Sequence, residues 1–200
     1  MLVRPKDRVL HEALAGAGAG TLVLDLGAHR GETAAAFAAR GAEVHAYEPN
    51  PDIFPELEAA ARRNPRIRAH NAGVLDCDGE MRLYLHADYA ADPAGHSESS
   101  SFLAEKANVS AGDSRLVAVR DIAGIVAALD RPVDIVKIDV EGAEYAILER
   151  LIETRAIERV GAVYVEAHTD RIPGHVERHE AMLARIRAAG LERKIRFDWA

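Results

Sequence analysis

Short apolar runs alternate along this chain with alanine-rich or amphipathic stretches, the pattern typical of a parallel sheet covered by helices. The first run lies in Thr21–Gly31 (TLVLDLGAHRG) and predicts a buried strand, a glycine loop and a helix that opens at Glu32. The next run, Glu43–Tyr47, ends at the acid Glu48. The pattern therefore predicts an α/β fold with a doubly wound, mostly parallel sheet and helices on both faces.

The remaining elements follow the same alternation. Further strands are predicted at 67–73, 116–120, 133–139, 160–168 and 193–199, and helices at 4–15, 32–40, 49–63, 121–129, 143–152 and 175–189. The turn signal Asp78-Gly79, followed by the alternating apolar residues Met81, Leu83 and Leu85, predicts a β-hairpin over 74–86. All of these elements fit one domain, residues 1–200, in which 1–20 form an N-terminal helix and linker.

Residues 87–114 form the least regular stretch and are rich in Ala, Asp, Gly and Ser. A loop of this length inside a compact domain is usually a functional cover or a mobile connection. Because it lies between the predicted hairpin and the strand predicted at 133–139, we expect a mobile lid over a substrate site.

Composition narrows the classes of function. The formal net charge of −7 argues against a nucleic-acid partner, which needs a basic surface. A single cysteine fits a reducing compartment, and no apolar run approaches the roughly 20 residues of a membrane span. We expect a cytoplasmic protein without a membrane span, and homo-oligomerisation stays open.

The glycine loop and two acids indicate which cofactor the site takes. Gly27 and Gly31 are spaced G-x-x-x-G, and His29 stands where a dinucleotide loop of the type G-x-G-x-x-G has its middle glycine. A carboxylate at Asp25 suits a positive amino-acid group, and Glu48 is placed to accept two ribose hydroxyls. This combination favours S-adenosyl-L-methionine, although the two glycines alone are also compatible with a simple tight turn.

Polar and ionisable residues follow each predicted strand of the parallel sheet. In chain order they are Asp25 and Gly27, Glu48, Asn71, Asp139 and Glu141, and Glu166 and His168. Because the carboxyl ends of parallel strands meet at one sheet edge, these residues predict a single functional site there.

Five motifs resemble the FkbM family of S-adenosylmethionine-dependent methyltransferases. They are DLGAHRGET (25–33), YEPNP (47–51), HNAGVLDCDGEMRLYL (70–85), VKIDVEGAEYAIL (136–148) and VYVEAH (163–168). The resemblance implies a Rossmann-like class I methyltransferase fold and S-adenosyl-L-methionine as cofactor. It also implies O-methylation of a hydroxyl on a sugar, a glycan or another small molecule.

Site residues follow from the strand ends and from this resemblance. The expected cofactor-binding set is Asp25, Gly27, Ala28, His29, Gly31, Glu48, Pro49, Asn71, Ala72 and Asp139. The expected catalytic set is His168, Asp139 and Glu141. His168 is favoured as proton acceptor because the unperturbed pKa of histidine is near 6.5, with Asp139 or Glu141 as alternatives. A structural role for His168 at the end of its strand is also open.

The remaining ionisable residues support weaker interpretations. No metal ligands are assigned, although the acids near Asp139 leave Mg²⁺ open. His175 and His179 are four residues apart, and a solvated helix face is favoured over a metal site. Lys137 lies in an apolar strand and is expected to pair with a carboxylate.

Two other classes of protein share parts of this pattern. An NAD(P)-dependent oxidoreductase has the same fold and an acid like Glu48, but its glycine fingerprint is absent here. A non-catalytic nucleotide-binding module keeps the loop and Glu48 without a base beside the donor. Both stay open as alternatives to a methyltransferase at the level of sequence.

Overall fold

The computed structural model describes residues 11–92, 96–169 and 172–197. Within these residues, strands β1 to β9 comprise Leu22–Leu26, Glu43–Tyr47, Ile67–His70, Gly73–Leu75, Gly79–His86, Val109–Asp121, Val133–Ile138, Val160–Val165 and Ile195–Arg196. Helices α1 to α5, which begin and end within them, comprise Glu32–Ala39, Phe54–Arg63, Ile122–Ala128, Glu144–Glu153 and His175–Ala188. Two 3₁₀ turns cover Ser97–Ser99 and Ala156–Arg159.

The main sheet has six parallel strands in the order β3-β2-β1-β7-β8-β9. All five residues of β1 are buried because both faces of the sheet are covered. Leu22, Leu24 and Leu26 face the core formed with α3, α4 and α5, whereas Val23 faces α1 and α2. The predicted doubly wound sheet is therefore confirmed, with β1 at its centre.

A second sheet has the order β4-β6-β5 and corrects the predicted hairpin. The strands on either side of Asp78-Gly79 do not pair with each other, because β6 lies between them, parallel to β4 and antiparallel to β5. The eight residues of β5 find a far longer partner in the 13-residue β6 than in the three-residue β4. Local alternation identified the strands, but the pairing depended on a strand 30 residues further along the chain.

Several predicted boundaries shift. The strand expected at 116–120 begins at Val109, so the last six residues of the predicted 87–114 loop are in β6. Within 193–197, the described part of the final strand expected at 193–199, the strand covers Ile195–Arg196, and 198–199 lie outside the described residues. Helix α2 begins at Phe54 rather than at 49. Residues 11–15 are helical, and the rest of the helix expected at 4–15 lies outside the described residues.

The N-terminal cap of α3 agrees with the prediction. The Asp121 carboxylate accepts the backbone N–H of Ala123 at 3.0 Å and so caps α3, as predicted. Arg150 of α4 binds the same carboxylate at 2.6 Å, which ties the two helices together on one face of the sheet. Across the ranges that the structure covers, no helix is both long and apolar enough to cross a bilayer.

Candidate functional site

The loop after β1 holds its backbone against two neighbouring strands. Gly27 has a φ of +77°, and a Cβ there would collide with the carbonyl of Asp139 beyond β7. The N–H groups of Gly27 and Ala28 both donate to the Tyr47 carbonyl, at 3.0 and 2.9 Å. Gly31, with a φ of +86°, starts α1 against Leu57. The glycines therefore serve close backbone approach, and they hold the loop in one conformation.

His29 connects this loop to two other parts of the site. Its backbone is left-handed, with a φ of +50°, and its N–H donates to Glu48 Oε2 at 2.9 Å. Its ring Nε2 lies 2.8 Å from the hydroxyl of Ser97, in the first 3₁₀ turn. The histidine thus links the glycine loop, the end of β2 and the segment that covers the cavity.

Glu48 is a buried carboxyl at the end of β2, with 7% of its surface exposed. Its two oxygens accept the backbone N–H groups of His29 at 2.9 Å and of Asn50 at 2.7 Å. Burial raises the pKa of Glu48 to about 7, although the two N–H donors and the Lys137 charge oppose the shift. A carboxyl held in this way needs little further reorganisation to accept hydrogen bonds from a ligand.

Lys137 is a buried cation inside β7, and its expected pairing with a carboxylate is confirmed. Its Nζ lies 3.3 Å from Asp25 Oδ1 and 3.5 Å from Asp139 Oδ2, and it donates to the Gly27 carbonyl at 2.7 Å. Burial lowers the pKa of Lys137, but the charges and hydrogen bonds of Asp25 and Asp139 outweigh it and leave the pKa raised. Lys137 therefore stays charged and joins the glycine loop to the acid after β7.

Asp25 lies behind the site rather than in it. The residue is fully buried, and burial raises the pKa of its carboxyl against the opposing effect of Lys137. Its contact with Lys137 makes it a support for the lysine and, through the lysine, for Gly27 and Asp139. Direct binding of a cofactor by Asp25 stays a prediction.

Glu141 follows β7 in a strained backbone conformation. Its φ is +58°, a left-handed value that costs a non-glycine residue about 1–3 kcal/mol. Its carboxylate binds the ammonium group of Lys106, whose side chain is fully buried, and its carbonyl accepts the Ser101 hydroxyl at 2.7 Å. Lys106 also donates to the Ser99 carbonyl at 2.9 Å. These contacts dock the 96–108 segment onto the loop after β7.

His168, after β8, faces three carboxylates. Its Nδ1 lies 2.7 Å from Glu144 Oε1, and its Nε2 lies 3.4 Å from Glu141 Oε2 and 3.8 Å from Asp139 Oδ1. Burial disfavours the charged ring, but the hydrogen bond to Glu144 and the charges of all three acids raise the pKa to about 9. The unperturbed pKa that favoured His168 as proton acceptor therefore does not apply, because the ring is protonated at neutral pH.

These side chains surround one cavity at the carboxyl ends of the parallel strands. Its lining includes seven of the expected site residues: Gly27, Ala28, His29, Glu48, Pro49, Asp139 and Glu141. It also includes groups from the second sheet and from the segment above it: Gly73, Val74, Leu83, Ser97, Ser100 and Phe102. Of the strand-end residues predicted to converge, those that line this cavity are Gly27, Glu48, Asp139, Glu141 and Glu166, and their roles stay predictions.

Five expected residues lie outside that lining: Asp25, Gly31, Asn71, Ala72 and His168. Asn71 instead donates to the Glu48 carbonyl at 2.9 Å, so it supports the turn after β2. The cover predicted over 87–114 shortens to the described residues before β6, of which Ser97, Ser100 and Phe102 reach the cavity. Mobility of this cover stays a prediction.

Sequence reasoning missed Lys106 and misread the histidine pair. Lys106 is one lysine in a polar stretch, and no local pattern distinguishes it from a surface residue. The solvated helix face expected for His175 and His179 is wrong, because His175 is buried and His179 lies 3.2 Å from the Tyr145 hydroxyl. The residue pattern of α5 alone did not show that this helix packs against β8 and α4.

Two solved structures share the fold of this chain. A proposed rRNA-methylase from Clostridium thermocellum has a TM-score of 0.52 at 10% identity, over 92% of this chain and 81% of that one. The precorrin 8w decarboxylase of Methanobacterium thermoautotrophicum has a TM-score of 0.50 at 16% identity, over 95% and 74%. Both likenesses show the fold: a Rossmann-like class I methyltransferase fold, with the glycine loop and Glu48 at the ends of β1 and β2.

The family follows from the sequence itself. Residues 25–192 match the methyltransferase FkbM domain, and the chain belongs to that family. Its cofactor is S-adenosyl-L-methionine. The chain also resembles part of Pyrococcus horikoshii TYW2, solved with MeSAdo, at 25% identity and a TM-score of 0.31, over 36% of this chain and 29% of that one. No curated protein sequence matches the chain.

Proposed function

We propose that this methyltransferase transfers the methyl group to a hydroxyl oxygen of a sugar or another small molecule. The observation that carries the proposal is that two groups of residues line the same cavity. One group, the donor wall, is the glycine loop with Glu48, and the other, the acceptor wall, is the carboxylates of Asp139 and Glu141. The first wall suits the donor, and the second offers hydrogen-bond acceptors to a hydroxyl.

The donor wall is built for the nucleoside part of S-adenosylmethionine. Glu48 has each oxygen aligned by one backbone N–H, and each oxygen keeps a further lone pair for a ribose hydroxyl. Lys137 and the Gly27 carbonyl it binds lie beside the loop where the amino-acid end of the donor would lie. We therefore keep Glu48, Gly27, Ala28, His29 and Pro49 as the donor-binding residues.

The acceptor wall supplies position and a destination for the hydroxyl proton. The transfer breaks the S–CH₃ bond and forms an O–CH₃ bond, while the sulfonium keeps the electron pair and becomes a thioether. The oxygen loses its proton, and carboxylates within hydrogen-bond reach accept it efficiently. Asp139 and Glu141 line the cavity and are suited to this task, whereas His168 stands behind them and holds them in place.

Methyl transfer from labelled S-adenosylmethionine to a panel of monosaccharides, glycosides, nucleotide sugars and primary amines tests this proposal. We expect a methyl ether, identified by its stability to mild base and by NMR. Glu141→Gln should lower turnover about 10²- to 10⁴-fold with S-adenosylhomocysteine affinity unchanged. The exposed Glu177→Gln, on the far side of α5, is the matched control. Methylation of amines alone, or undiminished turnover in Glu141→Gln, would contradict the proposal.

A further inference from the structure

Three side chains at the ends of β7 and β8 point their ligand atoms at a common point. Asp139, Glu141 and His168 each offer one such atom, and these atoms all lie within 4.8 Å of one another. We propose that these three residues bind a divalent cation of the Mn²⁺ type on the acceptor side of the cavity. The role of the ion rests on the proposed function, whereas the existence of the site rests on the geometry alone.

The orientation of His168 is the strongest argument. The residue is more than nine-tenths buried, and its Nδ1 is committed to Glu144 at 2.7 Å. Its Nε2 is aimed between Glu141 and Asp139, at 3.4 and 3.8 Å, which is longer than an ordinary N–H···O hydrogen bond. A carboxylate that fixes one ring nitrogen and leaves the other facing further ligands is the usual support of a metal-binding histidine.

Glu144 in turn is held rigidly. It is fully buried at the first turn of α4, and its Oε1 also accepts the Gly142 backbone N–H at 2.9 Å. A fixed carboxylate of this kind sets the ring plane of His168 before any ion arrives. The site therefore has both a set of ligands and a second layer that orients one of them.

The balance of charge favours a cation. The three carboxylates of Asp139, Glu141 and Glu144 face two ammonium groups, and one of these, Lys137, is shared with Asp25. Lys106 takes one lone pair of Glu141 Oε2, as neighbours of metal-bound carboxylates commonly do, and other lone pairs of the carboxylate stay available. In the free protein the protonated His168 ring supplies a further positive charge, and a divalent ion would take the place of the proton on its Nε2.

The donor set indicates the kind of ion. Two ligand atoms that each lie about 2.1 Å from an ion, at a right angle, are about 3 Å apart. Small side-chain rotations would bring the ligand atoms of His168, Glu141 and Asp139 to this spacing. One imidazole and two carboxylates suit Mn²⁺, whereas Ca²⁺ prefers six to eight oxygens. Since Asp139 and Glu141 line the cavity, open positions on the ion would face an acceptor hydroxyl.

Titration of the EDTA-treated protein with Mn²⁺, followed by loss of the free-ion EPR signal, tests the proposal. We expect one site per chain, and a loss of affinity of about 10- to 100-fold or more in Asp139→Asn and in His168→Ala. Glu144→Gln, which touches no ion, should weaken binding through the orientation of the ring. The matched control is His86→Ala, because His86, Asp88 and His96 form a second group of ligands within 4.8 Å.

The outcomes separate this inference from the proposed function. Absence of Mn²⁺ binding, unchanged affinity in His168→Ala, or loss of binding in His86→Ala would each overturn the metal site. Thermal unfolding and S-adenosylhomocysteine binding of His168→Ala, measured on the same samples, show whether that variant is folded. If Mn²⁺ binds as expected but only amines are methylated, the proposed function fails and the metal site stands.

Discussion

Binding of the methyl donor should depend on pH through Glu48. In the free protein the pKa of this buried carboxyl is raised to about 7, so it is half protonated at neutral pH. Only the ionised form accepts a hydrogen bond from a ribose hydroxyl at both oxygens, because the backbone N–H groups of His29 and Asn50 already occupy one lone pair of each. Donor binding must therefore remove the proton.

The size of the effect follows from that pKa. With a pKa of about 7, the ionised fraction of Glu48 is about 0.9 at pH 8 and about 0.1 at pH 6. The affinity for S-adenosylhomocysteine should then fall about tenfold, or about 1.4 kcal/mol, between these pH values. Glu48→Gln cannot titrate and should lose about 1.5–3 kcal/mol of binding relative to the wild type at pH 8.

In the free protein, the effect of Glu48 on the free energy of unfolding changes with pH in the direction opposite to its effect on donor binding. The folded-state pKa of Glu48 lies above its unfolded value, so this group stabilises the fold fully below about pH 4.5. That contribution, about 3 kcal/mol, is lost as the pH rises through about 7. Because the donor binds the ionised form, S-adenosylhomocysteine should raise the Tm more at pH 8 than at pH 6.

Calorimetry at several pH values, in buffers of different ionisation enthalpy, measures both the affinity and the proton released. Near pH 6 the wild type should release about one proton per donor bound, and Glu48→Gln none. Glu58→Gln, an exposed partner of Arg62 on α2, should behave like the wild type. A pH-independent affinity in the wild type, or the same slope in Glu48→Gln, would refute the ribose contact.

Three further outcomes are expected. Gly27→Ala should lose at least about 3 kcal/mol of stability in urea unfolding, because its left-handed backbone faces the carbonyl after β7. The control Gly124→Ala in α3 has room for a Cβ and should gain about 0.5–1 kcal/mol. Lys137→Met breaks a buried charge pair and should cost about 3–5 kcal/mol, and the idea fails if its effect is as small as that of the exposed Arg62→Ala. Proteolysis within 96–108 should slow when S-adenosylhomocysteine and an acceptor are both bound, and equal rates would leave an ordinary loop.

Residues whose role is set locally were the ones that sequence reasoning could place. Glu48 ends an apolar strand and Gly27 follows one, so both the sheet edge and their position on it follow from alternation alone. Lys137 in an apolar run required a buried partner, and it has one. In each case the environment of the residue is encoded within a few positions along the chain.

Contacts between distant segments were not predictable in the same way. The pairing of β5 with β6 joins residues 23 to 40 positions apart, and the bond between Lys106 and Glu141 joins residues 35 positions apart. The shift in the pKa of His168 likewise comes from acids on another strand end and helix, so its residue type alone misled the choice of proton acceptor. Only the packed sheet brings these groups together.

Two strand pairings fix the cover of the cavity, and neither pairing involves the residues that lie between Ser101 and Val109. Tyr84 of β5 pairs with Ser101 on one edge, and His86 pairs with Val109 at the start of β6 on the other. An engineer can therefore exchange the residues between Ser101 and Val109, or change their number, without resetting the register of either strand. Doubling that loop would cost only about 0.6 kcal/mol of closure entropy. Of the cover residues that reach the cavity, Phe102 lies in this stretch, so acceptor preference is open to redesign there, provided that each graft keeps a cation opposite Glu141.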